Sequence, residues 1–164
     1  MTTRAYIGLG SNLDDPVEQV TSALAQLGTL RDTQAVHHSG LYQSKPLAST
    51  VDQADYINAV AALDTTLPPR QLLAELLDIE QAHGRIRTAE RWGPRSLDLD
   101  LLLYGDLYYQ DDALTLPHPR LHERSFVLYP LFEITPELVI PAHGSLRELL
   151  KHCPKHAITR LNLT

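Results

Sequence analysis

Residues 84–103, GRIRTAERWGPRSLDLDLLL, set the frame for the rest of the chain. Their second half is a leucine run broken by two acids. A β-strand sends alternate side chains to opposite faces, so Asp98 and Asp100 fall on one face and Leu97, Leu99 and Leu101 on the other. Two adjacent carboxylates repel, and desolvating them is costly unless a positive group sits between them. A hard divalent cation such as Mg²⁺ fits, because it takes one or two carboxylates together with phosphate oxygens. Just upstream, Arg85, Arg87, Arg91 and Arg95 stand against a single acid, Glu90. Their forked donors match phosphate oxygens. The plainer alternative is an exposed arginine-rich loop leading into an edge strand with one wet face. The apolar setting of the acids and the shortage of partners for the arginines favour a metal–polyphosphate site.

Working outward, residues 56–63 form a strong strand, and Leu67-Pro68-Pro69 opens a helix that runs to about His83 before Gly84. On that helix Leu73, Leu76 and Leu77 have core spacing and Glu80 continues the stripe. A carboxylate on an apolar face needs a partner when buried; Arg85 or Arg87 is expected to supply it, or the side chain snorkels out at the helix end. Toward the N-terminus, residues 4–9 read as a strand ending at Gly8 and Gly10. The run Gly8-Leu9-Gly10-Ser11-Asn12 lacks the third glycine of a dinucleotide-binding turn, and no Walker lysine follows. A tight turn is expected there. Asp14 or Asp15 caps a helix with Pro16 in its first turn, carrying the stripe Val17, Val20, Ala23, Leu24 and Leu27 up to Gly28. Residues 35–42 make the second strand, and 44–55, with Pro46, a long loop.

Beyond the acidic strand, Gly105-Asp106 marks a turn and 107–109 a short strand. Pro117, Pro119 and Pro130 divide the next segment into short helices. Residues 145–152 form a last helix, with Ser145 and Glu148 at capping-box spacing, and 158–163 a final strand. The order β-α-β-β-α-β plus a C-terminal extension predicts an α+β, ferredoxin-like βαββαβ core: a mainly antiparallel sheet with helices packed on it.

The 164 residues predict one domain, 1–164, with a real core. A net charge of −6, from 14 basic and 20 acidic residues, argues against a nucleic-acid partner. One cysteine, Cys153, excludes an internal disulfide and a cysteine-rich zinc site. Residues 1–12 lack the apolar segment of a signal peptide, and no apolar run approaches the ~18 residues of a membrane span. A cytoplasmic monomer with no membrane partner is expected.

Smaller constellations add detail. Tyr56 and Asn58 sit two apart on a predicted strand, so they share a face on which a ring can stack on a flat heterocycle while an amide bonds its edge. A half-buried tyrosine beside a surface amide is the plain alternative. His118 and His122 have a zinc-like spacing, but Pro119 and the absence of nearby cysteine count against zinc. With Arg120 and Arg124 they can line an anionic ligand or form a solvated face. Phe126 is by itself a core residue.

Taken together, five blocks look familiar in this order: Gly8-Leu9-Gly10-Ser11-Asn12-Leu13, Tyr56-Ile57-Asn58-Ala59, Gly84-Arg85-Ile86-Arg87, the run from Arg91-Trp92-Gly93-Pro94-Arg95 through Asp98-Leu99-Asp100, and the run from Pro117-His118-Pro119 to Phe126. Nearly end to end, the chain resembles the 6-hydroxymethyl-7,8-dihydropterin pyrophosphokinases of folate biosynthesis. The resemblance implies transfer of the β,γ-pyrophosphoryl group of MgATP to the pterin hydroxymethyl oxygen, with release of AMP. It implies that Asp98 and Asp100 bind two Mg²⁺ ions and act in catalysis with Arg85 and Arg95. ATP contacts would come from Glu80, Arg87, Trp92, Arg95, His118 and Arg124. Tyr56 and Phe126 would sandwich the pterin, Asn58 would read its edge, and backbone near Ser44 and Leu47 would complete the pocket. Trp92 would lie in a loop that closes over the nucleotide. Two departures stand out: Thr88 replaces a lysine, and Lys45 a proline, found in some relatives. A ferredoxin-shaped RNA-binding module and another D-x-D transferase are the rivals.

Overall fold

Alternating apolar residues build the centre of the sheet. In β1 (Thr3–Ser11), Ala5, Ile7 and Leu9 are buried, and in β4 (Tyr56–Thr65) so are Ile57, Ala59, Ala61 and Leu63. The computed structural model describes residues 1–13, 15–45, 55–84, 97–153 and 158–161. β1 pairs antiparallel with β4 on one side and with β5 (Asp98–Tyr104) on the other. β2 (Thr33–His38) and β3 (Tyr42–Ser44) share the far edge of β4, and β10 (Ile158–Arg160) pairs with β3. The fold is thus a mixed structure of helices on an antiparallel sheet, as the element order predicts.

α1 (Pro16–Leu27) and α2 (Pro69–Ala82) cover one face. Val20, Ala23 and Leu27 of α1 and Leu72, Leu76 and Ile79 of α2 join Ile7, Leu63 and Leu99 in a single core. The α2 stripe therefore runs through Leu72 and Ile79, with Leu73 and Leu77 only half-buried at its flanks. Asp15 occupies the α1 N-cap position, but its φ of 62° leaves its side chain without a capping bond; Asp14 lies outside the described residues.

Among the described residues the opposite face is covered over only part of its area. α3 (Ser125–Ile134) and α4 (Leu146–Lys151) bury Val127, Leu128 and Leu146 against Tyr6, Val60 and Leu102. Ser145 accepts the α4 capping bond from Glu148 N as predicted. A bulge shapes this second core: Tyr6 lies opposite Leu103 and Ile7 opposite Leu101. Leu102 is the extra residue, so Leu102 and Leu103 both enter the second core.

Three expectations are corrected. The strand predicted at 35–42 is broken at Ser39 and Gly40. Ser39 bonds Val60 through backbone and hydroxyl, whereas Gly40 N–H turns away to the Glu133 carboxylate of α3 at 3.0 Å. The short strand expected at 107–109 is β6 (Tyr109–Gln110), paired with β7 (Thr115–Leu116). Pro130, expected to interrupt, lies inside α3. The loop predicted at 44–55 falls mostly outside the described residues, although Ser44 belongs to β3. β8 (Val139–Ile140) and β9 (Gly144–Ser145) form a hairpin before α4, and a short 3₁₀ turn (Leu121–Glu123) precedes α3.

Candidate active site

Gly8 and Gly10 do not make the expected turn. They lie inside β1, with Gly10 between Asn58 and Asp98 and Gly8 between Val60 and Asp100. Residues opposite one another in an antiparallel pair share a face, so Asn58, Gly10 and Asp98 form one rank and Val60, Gly8 and Asp100 the next. Strands stand about 4.8 Å apart. The glycines therefore leave a side-chain-free floor roughly 10 Å wide between Asn58 and Asp98. A methyl group added at Gly10 would meet Asn58 Oδ1 at 3.3 Å and Tyr56 Cδ1 at 3.8 Å. The sequence signal was present in the spacing of two glycines on alternate strand positions.

One wall of the floor comes from β4. Tyr56 is half-buried and Asn58 is buried. The Asn58 Nδ2 donates to Ser44 Oγ at 2.6 Å, which fixes the amide and leaves its carbonyl beside the Gly10 position. Ser44 was expected to contribute backbone; its hydroxyl orients Asn58, a role that depends on the register of β3 against β4.

The other wall is Asp98 and Asp100, both half-buried and on one face, with Leu97, Leu99 and Leu101 buried on the other. Among the described residues no cluster of three or more His, Cys, Asp or Glu side chains could hold a metal. Two carboxylates alone fit an ion that completes its shell with phosphate oxygens and water.

Arg124 closes the site from the start of α3. Burial pulls its guanidinium below the usual arginine range, while Asp100, Glu123 and Asp98 oppose that and Arg120 adds to it. It stays cationic. Its Nε is buried without a hydrogen-bond partner among the described residues, and its Cζ lies 5.5 Å from the Phe126 ring centre. Phe126 is half-buried rather than fully in the core. Arg124 thus brings one cation near both acids.

His118 is lowered to about 4 by burial, then by Arg124 and Arg120. Its Nδ1 accepts from Arg120 N–H at 3.3 Å, so the proton sits on Nε2. Within the His118–Arg120–His122–Arg124 quartet the surroundings differ. Arg120 is exposed and pairs with Glu123, while His122 stacks on His143 with ring centres 3.8 Å apart.

Glu80 lies in the last turn of α2 but does not snorkel out. It is 2% exposed, and its Oε2 accepts from Leu99 N–H at 2.6 Å. Arg85, Arg87, Trp92, Arg95 and Leu47, together with Thr88, lie outside the described residues.

Against known proteins, the family model described as 7,8-dihydro-6-hydroxymethylpterin-pyrophosphokinase (HPPK) matches residues 6–136. A 2-amino-4-hydroxy-6-hydroxymethyldihydropteridine pyrophosphokinase of Haemophilus influenzae is 49% identical over 158 residues, covering 96% of this chain and 98% of its own. One of the same name from Pseudomonas aeruginosa is 47% identical over 161 residues, with 98% of each chain covered. Among solved structures, an HPPK-DHPS chain of Plasmodium falciparum superposes with a TM-score of 0.78 at 14% identity, over 99% of this chain. This chain spans 49% of that one, and the likeness concerns the fold alone.

Proposed function

The chain belongs to the 7,8-dihydro-6-hydroxymethylpterin-pyrophosphokinase family, and from that premise we propose how its site performs the reaction. It is a pyrophosphokinase of folate biosynthesis, acting on the hydroxymethyl group of 6-hydroxymethyl-7,8-dihydropterin. The donor in this reading is MgATP, whose β,γ-pyrophosphoryl group moves intact and leaves AMP.

The single observation that carries the site is the rank Asn58–Gly10–Asp98. It sets a heterocycle reader and an acidic pair on opposite sides of a bare floor. The pterin lies between Tyr56 and Phe126. Because Ser44 takes the Asn58 Nδ2–H, Asn58 offers its carbonyl to donors on the pterin edge. Backbone near Ser44 and Leu47 completes that pocket.

Across the floor, Asp98 and Asp100 hold two Mg²⁺ ions together with the triphosphate. When bound, the ions neutralise and polarise the phosphoryl oxygens. Arg124 brings its unused buried Nε–H and a fixed positive charge to the same phosphates. Its attraction to Asp98 and Asp100 pre-places it there. His118, neutral and protonated on Nε2, is a hydrogen-bond donor to phosphate and not the base for the hydroxyl. Arg85 and Arg95 serve as catalytic phosphate contacts, with Arg87 and Trp92 completing the nucleotide side. Catalysis then rests on positioning and charge neutralisation, which suits a highly anionic group in transfer.

The topology belongs to the same reading. The order β5-β1-β4-β2 with α1 and α2 on one face supports a ferredoxin-like split βαβ core. The chain acts as a cytoplasmic monomer of one domain; no helix among the described residues is long and apolar enough to cross a membrane. The test is product analysis. AMP should form in equal amount with the pterin diphosphate, and only when pterin is present. Stoichiometric ADP would end the proposal.

A further inference from the structure

Among the described residues β5 is the last strand of the sheet and pairs with β1 on one side only. Alternate residues of an antiparallel strand direct their backbone groups to opposite neighbours. The Leu99 N–H points away from β1, to the side where no described strand lies, and Glu80 Oε2 accepts it at 2.6 Å. A buried N–H must find a partner, and here a carboxylate from α2 stands where the next strand's carbonyl would be. Glu80 is 2% exposed. It sits on the helix-covered side, beneath the strand that shows Asp98 and Asp100 on its other face.

Leu99 separates the two acids. Its N–H belongs to the peptide unit that also contains the Asp98 carbonyl, so fixing that N–H fixes the plane between Asp98 and Asp100. Edge strands have ladder support on one side only and open more readily than central ones.

We propose that Glu80 is a positioning residue of the pyrophosphoryl-transfer site: its carboxylate replaces a missing strand and holds the Asp98–Leu99 peptide so that both aspartates face the floor together. The role rests on the reading of Asp98 and Asp100 as metal ligands. It gives Glu80 its effect on MgATP through the strand and not through contact with the nucleotide.

The test uses the full chain with Glu80→Ala and Glu80→Gln. Ala removes the acceptor, whereas Gln keeps a carbonyl acceptor and drops the charge. Four quantities are read: amide exchange of Leu99 in metal-free protein, Mn²⁺ affinity with a non-hydrolysable ATP analogue, pterin affinity without nucleotide, and turnover. In Glu80→Ala the Leu99 amide should exchange at least ~10-fold faster while amides of central β1 keep their protection. Mn²⁺ affinity and turnover should fall roughly 10- to 100-fold, the usual cost of losing an outer support of a metal ligand. Pterin affinity should stay within about twofold, since Asn58 is held separately by Ser44. Glu80→Gln should recover most of each loss.

The proposal is overturned if Gln loses as much as Ala while Leu99 stays protected, because charge and not placement would then matter. It is equally overturned if Gln weakens nucleotide binding in the absence of metal. If Ala does not fold, Glu80→Gln is compared with the parent, and a loss of Mn²⁺ affinity of ~10-fold or more with Leu99 still protected overturns the proposal. Leu99 exchange in metal-free protein tests the Glu80 support by itself. A parent chain that binds no Mn²⁺ through Asp98 and Asp100 would instead remove the functional reading.

Discussion

On the side of α1 and α2 the sheet is apolar along its length, with Ile7, Leu9, Ala61, Leu63, Leu99 and Leu101 all buried. The other side changes character partway across. Tyr6, Val60 and Leu102 lie dry beneath α3, and beyond them stand Gly8, Gly10, Asn58, Asp98 and Asp100. The same strands thus carry two kinds of surface. One holds stability through burial, at roughly 25 cal/mol per Å² of apolar area removed from water. The other gives up apolar side chains for bare backbone, acids and a fixed amide. The strand period of two keeps them apart, because a one-residue slip of β5 would send Asp98 and Asp100 into the core and the leucines onto the floor. Stability and chemistry are therefore separable in this chain, residue by residue along one strand.

The largest effect should come from the floor's acidic wall. Asp98→Asn removes a charge that the transferred polyphosphate needs. Turnover should fall by at least about 10²- to 10³-fold, the scale seen when one preorganised electrostatic contact is removed. Mg²⁺ dependence should weaken with it. Arg124 already neutralises part of the pair, so the melting temperature should move little in either direction. Steady-state kinetics across Mg²⁺ concentrations check this.

An intermediate effect should follow from filling the floor. Gly10→Ala sets a methyl group 3.3 Å from Asn58 Oδ1, and Asn58 cannot yield freely because Ser44 pins it at 2.6 Å. Overpacking of this kind costs about 1–3 kcal/mol, so pterin affinity should drop at least about fivefold. Gly8→Ala has the Leu102 side chain as its nearest neighbour, at 3.4 Å, and should change pterin affinity less. Titrating pterin without nucleotide compares the two; equal losses would mean that the floor is not where pterin lies.

The smallest effect is on pH. His118 is lowered from 6.5 to about 4 in the folded chain, so between those values the unfolded chain holds a proton that the folded one refuses. The stability tied to His118 is complete above pH 6.5 and falls as pH drops toward 4, at up to roughly 1.4 kcal/mol per pH unit. Burial lowers His83 and His143 as well, with the same sign. His118→Gln should flatten, but not abolish, the slope of denaturant stability over that window.

The order of strands and helices was legible because each carries its own period, and the facing of Asp98 and Leu99 followed directly from alternation. What the sequence hid depends on partners far along the chain. Strand 35–42 breaks because Gly40 N–H bonds Glu133 of α3, and no local pattern shows that. Glu80 signalled a need for a partner; one partner is the Leu99 backbone N–H, which has no side-chain signature, while Arg85 and Arg87 lie outside the described residues. Gly8 and Gly10 were visible and misassigned, since a glycine pair before a helix suggests a turn until the strand is seen to run through it. Ser44 entered only through the resemblance, as a backbone contact; its hydroxyl gave no signal, because its value lies in a diagonal reach to Asn58 on the adjacent strand.

Asp100 and Leu101 are neighbours on β5 and face opposite sides, which makes them the most direct probe of this division. The measurement is a thermal melt and a turnover assay, on the same preparations, of Asp100→Asn and Leu101→Ala. Asp100→Asn should melt like the parent and lose turnover by at least about 10²-fold. Leu101→Ala should lose about 2–5 kcal/mol of stability and keep near-parental turnover per folded molecule at a temperature where it is folded. A large loss of stability in Asp100→Asn, or near-parental turnover in it, would contradict the account.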